Sequence, residues 1–359
     1  MAGIATRMLD QVVLMLGLGL PERAGRRDLG HHLARPDARG IDVGDGVLGH
    51  PLLLVGREED RRAVAHADII ALPVQLGRIV DRKEDVEQII IADLRQTGMG
   101  YTIYTVVDAL DRAPAVTRGL IALFRARHDP ALPGRRAEAA EDARAAIRQG
   151  LSKVAAINDD RLLRLYFALI EAILRTNAFA PAGHEALAFK IDSALVPGLP
   201  KPVPWREVFV YSARVEGIHL RSGAVARGGL RWSDRRDDFR TEILGLMKAQ
   251  RVKNAVIVPT GAKGGFYPKQ LPSPAIDREG WAAEGRASYE LFIRTLLSIT
   301  DNIVGGKVQH PQAVQVLDGE DPYFVVAADK GTATFSDIAN GIAQSRDFWL
   351  DDAFASGGS

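Results

Sequence analysis

The chain of 359 residues contains no cysteine. Disulfides and thiolate chemistry are thereby excluded, and the composition fits a reducing cytoplasm. An excess of one charge is also missing. Lys and Arg number 46 against 45 Asp and Glu, a formal net charge of +1. No global field draws this chain to nucleic acid or to an anionic membrane. Long apolar runs are scarce. The longest early one, residues 12–20, is about half of what a bilayer span needs. It makes a poor signal peptide, because Arg7 is the only side-chain cation ahead of it and Pro21, Glu22 and Arg23 follow where a small-residue cleavage site belongs. Finally, no Gly-x-Gly-x-x-Gly fingerprint follows a strand pattern anywhere, so the sequence shows no dinucleotide-binding turn of its own.

What is present is ordinary for a soluble globular protein: 47% hydrophobic and 25% charged residues. The length suits two or three domains. Residues 1–100 form an uncertain, irregular N-terminal region. Short apolar runs at 52–55 and 69–76 are candidate strands, and 86–94 is a short helix or strand. His31 and His32 are adjacent, which points them to different sides of a helix or strand, and no second ligand pair stands at usable spacing; a solvated loop is the expectation, with no metal site.

Residues 101–200 read as a helical module ending in a proline-rich hinge. Val106, Val107, Leu110, Leu120, Ile121, Leu123 and Phe124 fall at helical spacing, punctuated by Pro114. An Ala-rich helix is expected over 137–157. Asn158 or Asp159 is placed to cap the next one, whose stripe is Leu162, Leu165, Tyr166, Leu169, Ile170 and Ile173. Four prolines between 196 and 205 mark a boundary. Beyond it, residues 201–359 read as an α/β domain. Residues 207–220 alternate as a hairpin or two strands. Asp237 or Asp238 starts a helix with Phe239, Ile243, Leu246 and Met247 inward and with Arg235, Arg236 and Arg240 outward. Val256, Ile257 and Val258 read as a buried strand. A long helix is expected from about 281 to 303, with Tyr289, Phe292, Ile293, Leu296 and Leu297 inward.

The chemistry concentrates in residues 227–263. Arg227 precedes the Gly228-Gly229 pair, which permits a tight turn and close approach of a ligand. Lys253 follows the predicted helix. Lys263 sits in Pro259-Thr260-Gly261-Ala262-Lys263-Gly264-Gly265, read as a turn at a strand's carboxyl end, where α/β sheets place their ligands. Three readings of that turn compete. A phosphate-binding loop requires Gly-Lys-Ser/Thr, and the order here is Gly-Ala-Lys-Gly, with no hydroxyl for magnesium. A plain turn with an exposed lysine is the second. The third is an anion pocket, favoured by the company of Arg227 and Lys253 and suited to a small dianion. Clustered cations lower a lysine's pKa, which would let Lys263 act as a general base near neutrality. Nucleic-acid binding by the arginines of 221–240 is disfavoured by the interleaved Asp234, Asp237, Asp238 and Glu242.

The run ARVEGIHLRSGAVARGGLRWSDRRDDFRTEILGLMKAQRVKNAVIVPTGAKGGF resembles the substrate domain of the amino-acid dehydrogenases, and most closely the large bacterial NAD-dependent glutamate dehydrogenases. DGEDPYFVVAADKGTATFSDIAN and FWLDDAFASGGS are similar to the same family, so the resemblance covers about 201–359. It implies oxidative deamination of L-glutamate to 2-oxoglutarate and ammonia with NAD, in the cytoplasm, by a homo-oligomer in the full-length form, with no nucleic-acid or membrane partner. By the same resemblance Lys263 is the catalytic lysine that activates water, and Asp329 the aspartate that shuttles a proton to and from the amine. Lys253 pairs with the α-carboxylate. Arg227 stands where relatives carry a lysine, for the side-chain carboxylate, and an arginine binds it bidentately. Asp329 also admits a plainer reading as a helix cap or turn residue. With no nucleotide fingerprint, the chain is expected to be a fragment lacking the NAD-binding domain and unable to transfer hydride alone. The alternative is a non-catalytic dicarboxylate-binding or assembly module.

Overall fold

The computed structural model describes residues 103–132, 134–253 and 260–356. The expectations for residues 1–100, including His31 and His32, and the strand at Val256, Ile257 and Val258 lie outside the described residues. No described helix is long and apolar enough to cross a membrane.

Four helices come first: α1 (Ile103–Arg112), α2 (Pro114–His128), α3 (Arg136–Leu151) and α4 (Ile157–Ala172). Pro114 opens α2 at a position where its missing N–H costs nothing. The stripe expected on α4 is buried, from Leu162 through Ile170. Its cap is not the one expected. Ala156 precedes the helix without a side-chain bond, and Asp159 turns to Arg112 on α1 instead, at 2.8 and 2.9 Å. A bidentate partner on another helix outcompetes a backbone N–H for that carboxylate.

The sheet begins earlier than its expected start after the proline segment. β1 (Ile173–Thr176) and β2 (Leu187–Ile191) precede it, so Ile173, assigned to the helical stripe, is the first residue of a strand. The β-branched and aromatic residues of these short runs favour strand, but four-residue apolar runs do not distinguish strand from buried helix by periodicity. β3 (Arg206–Tyr211) and β4 (Val215–Arg221) form the expected hairpin. β5 (Ala226–Arg227), β6 (Gly229–Trp232), α5 (Phe239–Lys253), β7 (Thr260–Pro268), α6 (Arg278–Leu297), the small hairpin β8 (Asn302–Val304) and β9 (Lys307–Gln309), β10 (Val326–Ala328), α7 (Ser336–Gln344) and β11 (Ala355–Ser356) complete the described chain. The main sheet runs β1-β2-β3-β4-β7-β6-β10-β11, with β5 also beside β7. It is antiparallel from β1 to β7 and parallel from β7 to β11.

Strand alternation sends side chains to two faces. Phe189, Phe209, Ile218 and Leu220 share one core with α1–α4 and with Phe239, Ile243 and Met247 of α5. Val208, Val210, Val215 and Phe266 share the other with α6 and α7. The five inward residues expected on α6 are all buried; the helix stops at Leu297, short of 303. Arg240 departs from expectation. It is 1% exposed and donates from Nε and Nη2 to Glu207 of β3 at 3.1 and 2.9 Å. Its place directly after Phe239 on the helix's inner side carries it under α5, and the buried Glu207 makes that position tolerable.

A closed cluster of six charges fastens the segment after α6 to the antiparallel half. Arg175 of β1 donates to Asp301 at 2.8 and 3.0 Å and to Asp318 at 2.6 Å. Lys190 of β2 meets Asp318 and, at 2.6 Å, Asp321. Arg221 of β4 meets both oxygens of Asp321 and the Tyr323 carbonyl. All six side chains are buried, three cations against three carboxylates.

Candidate active site

Lys263 lies inside β7, not in a turn. The stretch from Thr260 to Pro268 is continuous strand, paired antiparallel with β4 on one side and parallel with β6 on the other. Its glycines are there for packing. A Cβ on Gly264 would come 2.3 Å from Leu230 Cδ2, and one on Gly265 2.3 Å from Ile243 Cδ1. Glycine clusters signal turns when read locally, but here they let side chains of β6 and α5 lie against the strand's backbone. The double glycine ahead of β6 is explained the same way. A Cβ on Gly228 would sit 1.6 Å from the Ala262 carbonyl oxygen, and one on Gly229 2.7 Å from the Ala328 carbonyl oxygen. The close approach at Gly228 is thus to β7, and that at Gly229 to the backbone of the strand Val326–Ala328, β10.

Register sets the rest. Leu230 pairs with Gly264 and Arg231 with Gly265, so Arg231 shares a face with Lys263 two residues away. On the other side of β6, Ala328 pairs with Leu230, which brings the next residue, Asp329, beside Arg231. The contacts close accordingly. Lys263 Nζ lies 2.6 Å from Asp329 Oδ2, and Arg231 Nε donates to the same oxygen at 2.9 Å. Arg231 Nη1 donates to Glu242 Oε1 of α5 at 3.0 Å, and Ser233 Oγ to Glu242 Oε2 at 2.8 Å. Asp329 is no helix cap, since α7 begins only at Ser336. The turn is held by Thr332, whose Oγ1 accepts from the Asp329 N–H at 3.0 Å and donates to the Leu230 carbonyl at 2.7 Å.

The electrostatics are uneven. Burial pushes the Lys263 ammonium below the usual lysine range and Arg231 adds to this, while Asp329 and Glu242 oppose it. Burial acts upward on the Asp329 carboxyl, but hydrogen bonds from Arg231 and Lys263 outweigh it and hold the group below the carboxylate range. Lys263 is 3% exposed in its side chain and Asp329 23%, so the pair opens to solvent at the carboxylate. Such a pair can take up and release protons next to a bound molecule.

Of the four residues singled out in the sequence, Lys263 and Asp329 are in contact. Arg227 is half-buried on β5, paired with Gly261, two residues before Lys263 on the same strand. Lys253 closes α5, and its side chain lies outside the described residues. Arg231, Glu242, Ser233 and Thr332 were not foreseen. Alternation from Arg227 could have suggested Arg231, since positions 227, 229 and 231 share one side of an extended chain. Nothing local pointed to the other three.

A model of the catalytic domain of bacterial NAD-glutamate dehydrogenase matches residues 146–359. The chain belongs to that family. NAD-specific glutamate dehydrogenases from Halomonas elongata, Pseudomonas aeruginosa and Mycobacterium tuberculosis are 54%, 53% and 52% identical over 271, 274 and 278 residues. Each alignment covers 74% of this chain and 17% of the relative. The chain thus spans about a sixth of the length of the curated relatives it matches. The family's name carries NAD, yet the turns after β6 and β10 are poorly made for its diphosphate. The turn after β6 has no glycine and mixes Asp234, Asp237 and Asp238 with Arg235 and Arg236; the turn after β10 has Lys330 and Gly331, but its Asp329 N–H is already bonded to Thr332. A diphosphate needs open backbone N–H groups and glycines at such a turn.

Proposed function

We propose that this chain carries the substrate-binding and proton-transfer face of an NAD-dependent glutamate dehydrogenase, which deaminates L-glutamate oxidatively to 2-oxoglutarate and ammonia. The observation that carries the reading is the buried Lys263 ammonium 2.6 Å from Asp329, on a sheet face shared with Arg227. Arg227 pairs with the side-chain carboxylate of glutamate and Lys253 with its α-carboxylate. Once the α-carbon is at the imino level, Lys263 takes a proton from the water that adds to it. Asp329, the more exposed partner, relays that proton from Lys263 to the departing nitrogen. Burial keeps both groups at fixed separation and strengthens their charges at the reacting centre. The nucleotide is held by a domain outside this chain, a reading supported by the missing glycine fingerprint and by the turn after β6, which has no glycine.

The test uses the full-length dehydrogenase. Lys263→Ala lowers glutamate-dependent NADH formation by about 10²–10⁴-fold, the range for loss of a positioned general base. Glutamate still protects the variant against heat. Turnover within a few-fold of the parent overturns the assignment. Purified residues 1–359 are expected to form no NADH from glutamate; formation that Lys263→Ala abolishes would refute the placement of the nucleotide outside this chain.

A further inference from the structure

We infer that Arg231 is a positioning residue for the Lys263–Asp329 pair, clamped between two carboxylates, one of which Ser233 fixes in turn; this rests on the reading of Lys263 as the base. The guanidinium is fixed at two points. Nε reaches Asp329 Oδ2 at 2.9 Å, and Nη1 reaches Glu242 Oε1 at 3.0 Å. Glu242 is in turn fixed by Ser233 Oγ at 2.8 Å. The chain Ser233–Glu242–Arg231–Asp329–Lys263 therefore joins β6, α5, the turn after β10 and β7. A planar guanidinium bonded at two separate nitrogens has little freedom to rotate. Asp329 sits on a turn, so its carboxylate needs such a hold if it is to return to the same place beside Lys263 in each cycle.

The arrangement also divides charge in a definite way. Lys263 is faced by Asp329 from the β10 turn, by Arg231 from β6 and by Glu242 from α5, while Arg227 of β5 shares its sheet face. The two carboxylates favour a protonated lysine. Arg231 is the cation that opposes them, and it does so while occupying the very oxygen that Lys263 would otherwise hold alone. A plain surface ion pair would not need this convergence on one oxygen, and half-exposed pairs of that kind add little to stability. Removing the guanidinium lets Lys263 keep its proton to higher pH. A rate that needs neutral Lys263 then rises only at higher pH.

The experiment compares Arg231→Gln, Arg231→Lys and Lys263→Ala in the full-length dehydrogenase, with kcat/KM for glutamate measured across pH. In Arg231→Gln the acid limb moves up by about one pH unit, the lower end of what one nearby charge does. Arg231→Lys restores the limb to the parent's pH, because the charge is back. Its plateau kcat stays about tenfold low, because one ammonium does not span Asp329 and Glu242 as a fork does. An unmoved limb in Arg231→Gln, with Lys263→Ala inactive, overturns the positioning role alone. Lys263→Ala that still turns over removes the base and this role together. If Arg231→Gln does not fold, Arg231→Lys decides: a plateau kcat equal to the parent's overturns the inference, and the tenfold loss at an unmoved limb supports it.

Discussion

The Arg175 cluster and the Lys263 cluster draw on the same residue types and stand on the same sheet, yet they are arranged for opposite ends. Around Arg175, Lys190 and Arg221 stand three carboxylates, each of the six side chains is at most 6% exposed, and the half-exposed His310 touches the cluster at Asp301. Lys190 meets two carboxylates, both shut away from solvent. Around Lys263 the lysine is buried equally well, but it meets a single carboxylate among the described residues. That carboxylate is shared with Arg231 and is about a quarter exposed. Burial lowers the pKa of both lysines. Only Lys263 contacts a carboxylate that is itself partly open to solvent. A buried lysine with a lowered pKa is therefore an insufficient sign of chemistry; the exposure of its partner separates a clasp from a base.

This contrast breaks or holds under substitution. The largest effect is expected at the open cluster. Lys263→Met in the full-length enzyme loses about 10²–10⁴-fold in turnover, while its thermal midpoint stays near the parent's, since Arg231 still holds Asp329. A collapse of stability there would make the lysine a second clasp. At the closed cluster the expectation is reversed. Arg175→Met leaves Asp301 and Asp318 short of a partner in the interior, which costs about 3–5 kcal/mol, read from urea denaturation. Turnover per folded molecule is kept. Equal losses of rate at both sites would erase the distinction.

His219 stands between the two regions, opposite Gly264 of the lysine strand and two residues before Arg221. Burial drives its pKa down to about 3, with Arg221 pushing the same way, and neither ring nitrogen has a hydrogen-bond partner among the described residues. The unfolded imidazole, near 6.5, binds a proton that the folded one refuses. Its neutral form thus contributes stability that is complete above pH 6.5 and is lost progressively as pH falls toward 3. The slope is about 1.4 kcal/mol per pH unit from this group. His219→Leu flattens that part of the stability profile between pH 6 and 4, and an unchanged slope would show that the imidazole is protonated in the fold. The smallest effect is assigned to Thr332→Val. It removes the hydroxyl that ties the Asp329 turn to Leu230 and costs about 1 kcal/mol. Its kcat falls further than its KM rises, because the turn that loosens carries Asp329.

Several parts of this architecture were legible in the sequence because they obey one short-range period. Phe239, Ile243 and Met247 recur at four residues and are buried on α5; Tyr289, Phe292, Ile293, Leu296 and Leu297 do the same on α6. The alternation of 207–220 became β3 and β4. Where local signals conflict with distant partners, the reading failed. Arg240 looked outward until Glu207, 33 residues earlier, was brought beneath it. Gly261 to Gly265 looked like a turn because glycine's usual local role is turning, whereas here Leu230 and Ile243 need the missing Cβ atoms. The Asp329 side chain could be read as a cap or turn residue or as a partner of Lys263, and the 65 intervening residues had to fold before the choice existed.

The sequence alone determined which segments are apolar on one side, where the helices and the hairpin fall, that no thiol chemistry occurs, and that Arg227, Lys253, Lys263 and Asp329 resemble a dehydrogenase's working residues. Those properties depend on residue type and spacing of a few positions. Tertiary structure decided which charges meet. Parallel pairing of β10, β6 and β7 sets Asp329, Arg231 and Lys263 on one face, and the chain after α6 returns to close the Arg175 cluster. Charge pairing acts over a few ångströms in space and takes no account of separation along the chain, so sheet register, not sequence distance, assigned each lysine its partners.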